Sequence, residues 1–314
     1  MKKSILLFSG LLCMFQAFAF EKNLLVKENY KSSDITQMNL NLSFEDVSIQ
    51  KIHGDEITME IYSNYKKKLP SYELDGSTLK LQTSPKRVFN YDLCKICLYI
   101  PEDYKLSTLL INTTSGDIDI SYLNAENISI KSASGDIDTD DINCDEDFSI
   151  LANSGDIDIN RINAKTISLK TTSGDIDIEK SNAEDMTLKT TSGNIESDKF
   201  EGDYISLETN SGNVDSNNTI CNYFTASAIS GDITLILNKA PSAASAMKTT
   251  SGDIELILPK DEGFDLISSS NSGRLHDEIN DMSISIRGEF RNSYYGGGSE
   301  ITIKTTSGDI TIDN

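Results

Sequence analysis

Along most of this chain apolar residues recur at every second position, in short bursts on either side of a Ser-Gly pair. Ile128/Ile130, Phe148/Ile150, Ile167/Leu169, Met186/Leu188 and Ile205/Leu207 lie six and four residues before the serine. Ile118/Ile120, Ile157/Ile159, Ile176/Ile178 and Ile233/Leu235 lie three and five residues after it. A period of two is that of a strand with one buried face. The parity flips between even and odd across Ser-Gly, so the chain turns there, and glycine permits the backbone that such a corner requires.

The bursts belong to a repeat. SGDI starts at Ser115, Ser134, Ser154, Ser173, Ser230, Ser251 and Ser307, SGNI and SGNV at Ser192 and Ser211 fill the gap, and a degenerate SGRL stands at Ser272. In chain order the starts are 19, 20, 19, 19, 19, 19, 21, 21 and 35 residues apart. Such a period predicts an all-β fold, a parallel β-solenoid (β-helix) with one coil per ~19 residues. Each coil reads as strand, Ser-Gly corner, strand and a polar return such as Lys180-Ser181-Asn182. Ten residues after the serine come Ala125, Cys144, Ala164, Ala183, Gly202, Cys221 and Ala240, all small, which predicts a tight inward corner. Coils stacked about 4.8 Å apart would share one thin apolar column.

The pattern divides the chain into four segments. Residues 1–19 carry Lys2 and Lys3, a short apolar run and Ala17-Phe18-Ala19, the arrangement of a secretory signal peptide cleaved after Ala19. Residues 20–109 lack SGDI but keep strand patterns and turn signals at His53-Gly54-Asp55 and Asp75-Gly76-Ser77, as expected of divergent coils or an N-terminal β cap. Residues 110–258 are the regular coils. Residues 259–314 read as broader C-terminal coils with a flexible loop at Tyr294-Tyr295-Gly296-Gly297-Gly298, ending in a final strand edge at Asn314.

Composition narrows the function. Hydrophobic residues make up only 38%, which suffices if one residue in two on short strands fills a shared column. With 28 Lys+Arg against 49 Asp+Glu the formal net charge is −21, and a surface this acidic repels nucleic acid and anionic lipid. Histidine is limited to His53 and His276, with no nucleophile motif beside either, and Trp is absent. Enzymatic β-helices cut sugars with paired carboxylates. They build clefts from long inserted loops, whereas these coils are uniform and hold only Tyr122, Tyr204, Tyr223 and mostly inward Phe as aromatics. No catalytic residue, cofactor or resident metal is expected, and no segment beyond the leader is apolar enough to span a bilayer.

The remaining chemistry lies in outward columns. Two residues after the serine stand Asp117, Asp136, Asp156 and Asp175, and four after it Asp119, Asp138, Asp158 and Asp177. One reading is a flat binding face for a cation such as Ca²⁺ or for a basic polymer. The other is hydrogen bonding at the corner for the first column and solubility for the second. Later coils carry Asn194 and Asn213 in the first column and Glu196, Asp215, Thr234 and Glu255 in the second, which favours the latter reading over a fixed metal array. Lys131, Lys170, Lys189, Lys248 and Lys304 form a basic column on the other face, and Thr113, Thr171, Thr190, Thr209, Thr249 and Thr305 share the inward parity. Cys94 and Cys97 would form a disulfide across a bulge or, as strand parity suggests, pack separately on opposite faces. Cys144 and Cys221 share the small-residue slot four coils apart, about 19 Å, too far to bridge.

The SGDI coils, the Leu258-Pro259 step and the closing run from Gly298 to Ile310 resemble the bacterial putative-adhesin family over about Phe44 to Asn314. That resemblance implies an exported β-solenoid domain of unknown function and brings no active-site residues with it. The expected function is a non-enzymatic, adhesin-like binding or structural module of the cell envelope, facing a cell-surface, matrix or envelope ligand from the periplasm, the cell surface or outside the cell. The alternatives are a self-associating envelope scaffold and, behind it, a calcium-binding or carbohydrate-active β-helix.

Overall fold

Strands account for nearly all the regular structure because the alternating pattern leaves no stretch with a helical period. The computed structural model describes residues 23–64, 69–84 and 94–314, so the leader and its cleavage site lie outside the described residues. Among the described residues, 26 strands join into one sheet, and the only helical element is the 3-10 turn Ser32–Asp34. The fold is all-β and mostly parallel. Antiparallel pairs occur at the two ends, where Leu24–Lys31, Glu56–Ser63 and Cys94–Pro101 run against one another, Ser71–Asp75 meets Thr78–Gln82, and Phe264–Asp277 meets Met282–Tyr294.

The register puts equivalent residues of successive repeats directly on top of each other. Before the corner, Ile128, Phe148, Ile167, Met186, Ile205 and Phe224 form one continuous buried line. After it, Ile118, Ile137, Ile157, Ile176, Ile195, Val214, Ile233, Ile254 and Ile310 form another. The return is not the polar connection that Lys180-Ser181-Asn182 suggested. It carries a third buried line of Leu123, Ile142, Ile162, Ser181, Phe200 and Thr219, of which Ser181 is one of two polar members. The coil at Ser173, for example, buries Ile167, Leu169, Thr171, Ile176, Ile178, Ser181 and Ala183 against two neighbours, at about 1.5–3 kcal/mol for each large apolar one.

Local packing explains the small-residue column. A Cβ at Gly202 would run into the carbonyl oxygen of Ala183 and lie 2.7 Å from the ring of Phe200. The largest residue of the third line thus demands the smallest residue two positions later.

On the C-terminal side the last strands in the chain are not the last in the stack. Strand Ser299–Ser307 lies between Ser245–Lys248 and Phe264–Asp277, and Ile310–Asp313 lies between Ile254–Ile257 and Phe264–Asp277. The SGDI coil at Ser307 is therefore interior, and the SGRL coil at Ser272 lies beyond it, followed by Met282–Tyr294. This corrects the expectation of a bare strand edge at Asn314. The N-terminal end mirrors the arrangement. The coil formed by Gln37–Asn41 and Asp46–Ile52 sits directly against the regular repeats, while Thr78–Gln82 and Cys94–Pro101 lie outside it.

At the Ser-Gly corner the stacking is closest. A Cβ built on Gly135, Gly174, Gly193, Gly231, Gly252 or Gly308 would meet the carbonyl oxygen of the glycine in the adjoining coil far inside van der Waals contact. The requirement comes from the neighbour more than from the residue's own conformation, because only some of these glycines have positive φ (Gly231 150°, Gly252 156°). Gly174→Ala should lower the unfolding free energy by about 3 kcal/mol or more in urea denaturation. Gly76→Ala, in a turn with nothing within 4 Å of its Cβ position, should cost only about 1 kcal/mol for its φ of 61°.

Candidate functional site

The two aspartate columns emerge from the corner differently. In the first, each carboxylate accepts from the backbone N–H of the equivalent residue one coil on. Asp136 N donates to Asp117 Oδ1 at 3.2 Å, Asp156 N to Asp136 at 3.0 Å, Asp175 N to Asp156 at 2.9 Å and Asn194 N to Asp175 at 2.7 Å. The chain of bonds continues through Asn213, Asp232, Asp253 and Asp309, starts at Asp46 and ends on Arg274 N. A turning backbone leaves that N–H without a ladder partner, and the side chain supplies one. Aspartate and asparagine serve equally, which is why Asn194 and Asn213 occur.

The glycine carbonyl of the same corner is met from the other side. Thr190 Oγ1 donates to Gly174 O at 3.1 Å, Thr209 to Gly193 O at 3.0 Å, Thr249 to Gly231 O at 3.1 Å and Thr305 to Gly252 O at 3.2 Å. These threonines are buried, as their parity predicted.

The second column has no such duty. Asp119, Asp138, Asp158, Asp177, Glu196 and Asp215 are registered one above the next, all pointing outward. Partial desolvation in the row, followed by repulsion from Asp138, Asp177 and Asp156, pushes the Asp158 carboxyl up to about 6. Asp138 is raised by desolvation and then by Asp119 and Asp136, and it shares a hydrogen bond with Asp158. Asp177, Glu196 and Asp215 are raised as well, by desolvation first. Asp140, Asn160 and Glu179 border the row and complete a shallow acidic depression with Asp138, Asp158 and Asp177. Among the described residues no group of three or more His, Cys, Asp or Glu is arranged to hold a metal ion.

The basic column lies on the other face, where Lys189 pairs with Glu208 of the next coil at 2.7 Å. Cys94 and Cys97 are buried and form no disulfide, with Cys94 in the apolar core and Cys97 on the opposite face beside Gln50, Tyr62 and Tyr99. Burial pushes the Cys94 and Cys221 thiols up to about 12 and the Cys144 thiol to about 11, so none is a ready nucleophile. His53 projects into solvent near Glu102, and His276 lies 3.5 Å from Asp309.

Sequence parity named both aspartate columns but missed a pair that the register assembles. Tyr204 and Tyr223 face each other in adjacent coils with rings stacked, centroids 4.5 Å apart and planes 19° from parallel. Their spacing of one repeat, Tyr204 to Tyr223, was the available signal.

Two outcomes follow. Asp156→Asn should leave stability within error, whereas Asp156→Ala, which removes the acceptor for Asp175 N, should cost about 1 kcal/mol in urea denaturation. For the second column, a raised acid pKa means the folded state holds the proton more tightly. The stabilisation is full below the ordinary value of 3.8 and lost as pH rises through about 6. Thermal melting should therefore show a higher Tm at pH 5 than at pH 7.5. Asp158→Asn should raise Tm at pH 7.5 and flatten the profile, with added salt shrinking the difference.

No curated protein matches the chain. Among solved structures, a putative adhesin from Parabacteroides distasonis ATCC 8503 aligns over 94% of this chain and 98% of its own, at 10% identity and TM-score 0.49. A putative lipid binding protein from the same organism aligns over 91% and 96%, at 13% identity and TM-score 0.45. A putative adhesin from Bacteroides fragilis NCTC 9343 aligns over 92% and 96%, at 15% identity and TM-score 0.36. The family model described as Toastrack matches residues 35–147 and again residues 145–313. With the two matches together spanning most of its length, this chain belongs to the Toastrack DUF4097 family.

Proposed function

We propose that the protein is an exported, non-enzymatic β-solenoid of the cell envelope that works as an adhesin-like binding surface. In this reading residues 1–19 are a signal peptide, 20–109 and 259–314 cap the stack, and 110–258 supply regular coils of ~19 residues. The observation that carries the function is the outward row from Asp119 to Asp215, six carboxylates in register with no part in closing the backbone ladder. A row of like charges at about 4.8 Å spacing is costly to maintain. It suits a cationic or multiply hydrogen-bonding partner that repeats at a compatible interval, since many weak contacts then add. The charges flanking the row at Asp117, Asp136, Asp156 and Asp175 reinforce its field. No helix among the described residues is long and apolar enough to cross a membrane.

A second reading, a self-associating scaffold, draws on the strand edges. Among the described residues, Leu24–Lys31 and Met282–Tyr294 each pair on one side only, at opposite ends of the stack.

Binding of the purified protein to a matrix and glycan array should fall at least about ten-fold when Asp119, Asp138, Asp158 and Asp177 are all changed to Ser. Unchanged binding would remove the acidic row from the function. Size-exclusion chromatography with light scattering should show concentration-dependent assembly if the scaffold reading holds, and a monomer at every concentration would dismiss it.

A further inference from the structure

We propose that the outer face carries a saccharide-binding site at its C-terminal end, built on the free face of Tyr223. The tyrosine column is interrupted just where it would continue. Thr225 is registered with Ala246, and Ala243 N donates to Asn222 O at 3.0 Å, which sets Ala244 against Tyr223. The next positions in the same outward column are Glu300 and then Asp265, paired with each other, and Asp265 faces Ser293 of the final strand.

Tyr204 already covers one side of the Tyr223 ring, and Tyr223 remains 39% exposed. On its other side the exposed Ala244 fills little of its rung, leaving a gap about one strand spacing deep, close to the 4.5 Å that separates the two tyrosine rings. A flat ring entering that gap would have the aromatic face beneath it and two carboxylates ahead of it.

The chemistry of the rim selects the ring. Glu300 is exposed, and Asp265 is half-buried, with Oδ1 accepting from Ser293 Oγ at 2.6 Å. Both belong, with Ile267 and Arg291, to a single surface depression beyond Ala244. Beside the tyrosines, Tyr204 Oη and Thr225 Oγ1 lie 3.0 Å apart and Thr225 donates to Ser206 Oγ at 3.1 Å, which makes a row of exchangeable hydroxyls. Carboxylate acceptors and hydroxyls around an aromatic platform match a pyranose, whose C–H face packs on the ring while its hydroxyls donate outward. A nucleobase attached to phosphate, or a sugar acid, would bring negative charge to Glu300 and Asp265 on a chain of net charge −21. The ligand class is therefore a neutral glycan, with one residue on Tyr223 and the next in the depression lined by Asp265 and Glu300.

This site is separate from the acidic row, though its biological setting rests on the adhesin reading. The two are tested apart, the row by its Asp→Ser variant and this site by titration of the purified full chain. Cellohexaose, maltohexaose and mannohexaose serve as probes, followed by saturation-transfer NMR and calorimetry. At least one should bind with a dissociation constant in the millimolar range or tighter. Tyr223→Ala should weaken that affinity about ten-fold, and Tyr223→Phe should keep it within about three-fold.

Ala244→Tyr is the decisive variant. It fills the vacant rung with a third stacked ring, and because Ala244 is exposed it should leave the melting temperature unchanged or raised. Loss of binding in this folded variant supports the site. Binding equal to the parent's, or no binding of any of the three sugars by the parent, overturns it without bearing on the acidic row.

Discussion

The structure depends on how closely successive backbones approach at the Ser-Gly corner. The carbonyl oxygen of one glycine occupies the place where the next coil's Cβ would be, so no other residue fits in an interior coil. That closeness also disrupts the ordinary ladder. The N–H after the glycine is satisfied by an aspartate or asparagine of the adjoining coil, and the glycine carbonyl in most coils by a buried threonine or serine hydroxyl. Two side chains thus replace backbone partners at a point where unpaired polar groups would each cost about 1–3 kcal/mol. Thr, Ser-Gly and Asp recur together because they solve one geometric problem.

The same logic explains the irregular repeats, and it shows where the sequence was legible. Strand parity, inward threonines, the small-residue column and outward aspartates follow directly from a period of two and a repeat near 19 residues. The order of the last coils was hidden, because pairing across the 35-residue interval is set in space and leaves no periodic trace. One residue did carry the information. Arg274 replaces aspartate in the outermost coil of this ladder, where Arg274 N takes the last bond from Asp309 and no further corner N–H needs an acceptor. Ser307-Gly308-Asp309-Ile310, last in the chain but interior in the stack, keeps the complete motif. At the opposite end, the glycine column begins with the buried Glu45, whose carbonyl Gly116 abuts. The third apolar line was obscured for a simpler reason, since the return exemplified by Lys180-Ser181-Asn182 has a serine where four other coils place Leu123, Ile142, Ile162 and Phe200.

The candidate sites were legible in proportion to how much of them is columnar. Both aspartate columns could be named from spacing, but their different roles could not, because direction relative to the corner decides which carboxylate is used by the backbone. The tyrosine stack needed register as well as spacing. Tyr204 and Tyr223 are one repeat apart, yet the vacancy beyond them exists only because Ala244 follows in space and Glu300, far away in sequence, follows Ala244.

A stacked fold of this kind separates its inward and outward halves unusually far. Inward positions are fixed by what lies directly above and below, so a change at one coil is felt by two neighbours and little else. Outward positions away from the corner carry almost no structural obligation, and their side chains are free to vary coil by coil. Conformity inside and at the corner therefore says how the stack is built. Departures on the outside, a row of carboxylates that repel one another or two tyrosines where other coils place Asn127, Asp147 and Thr166, are not required by the stack. Since nothing in the packing calls for them, those departures are where the function of this protein is to be sought.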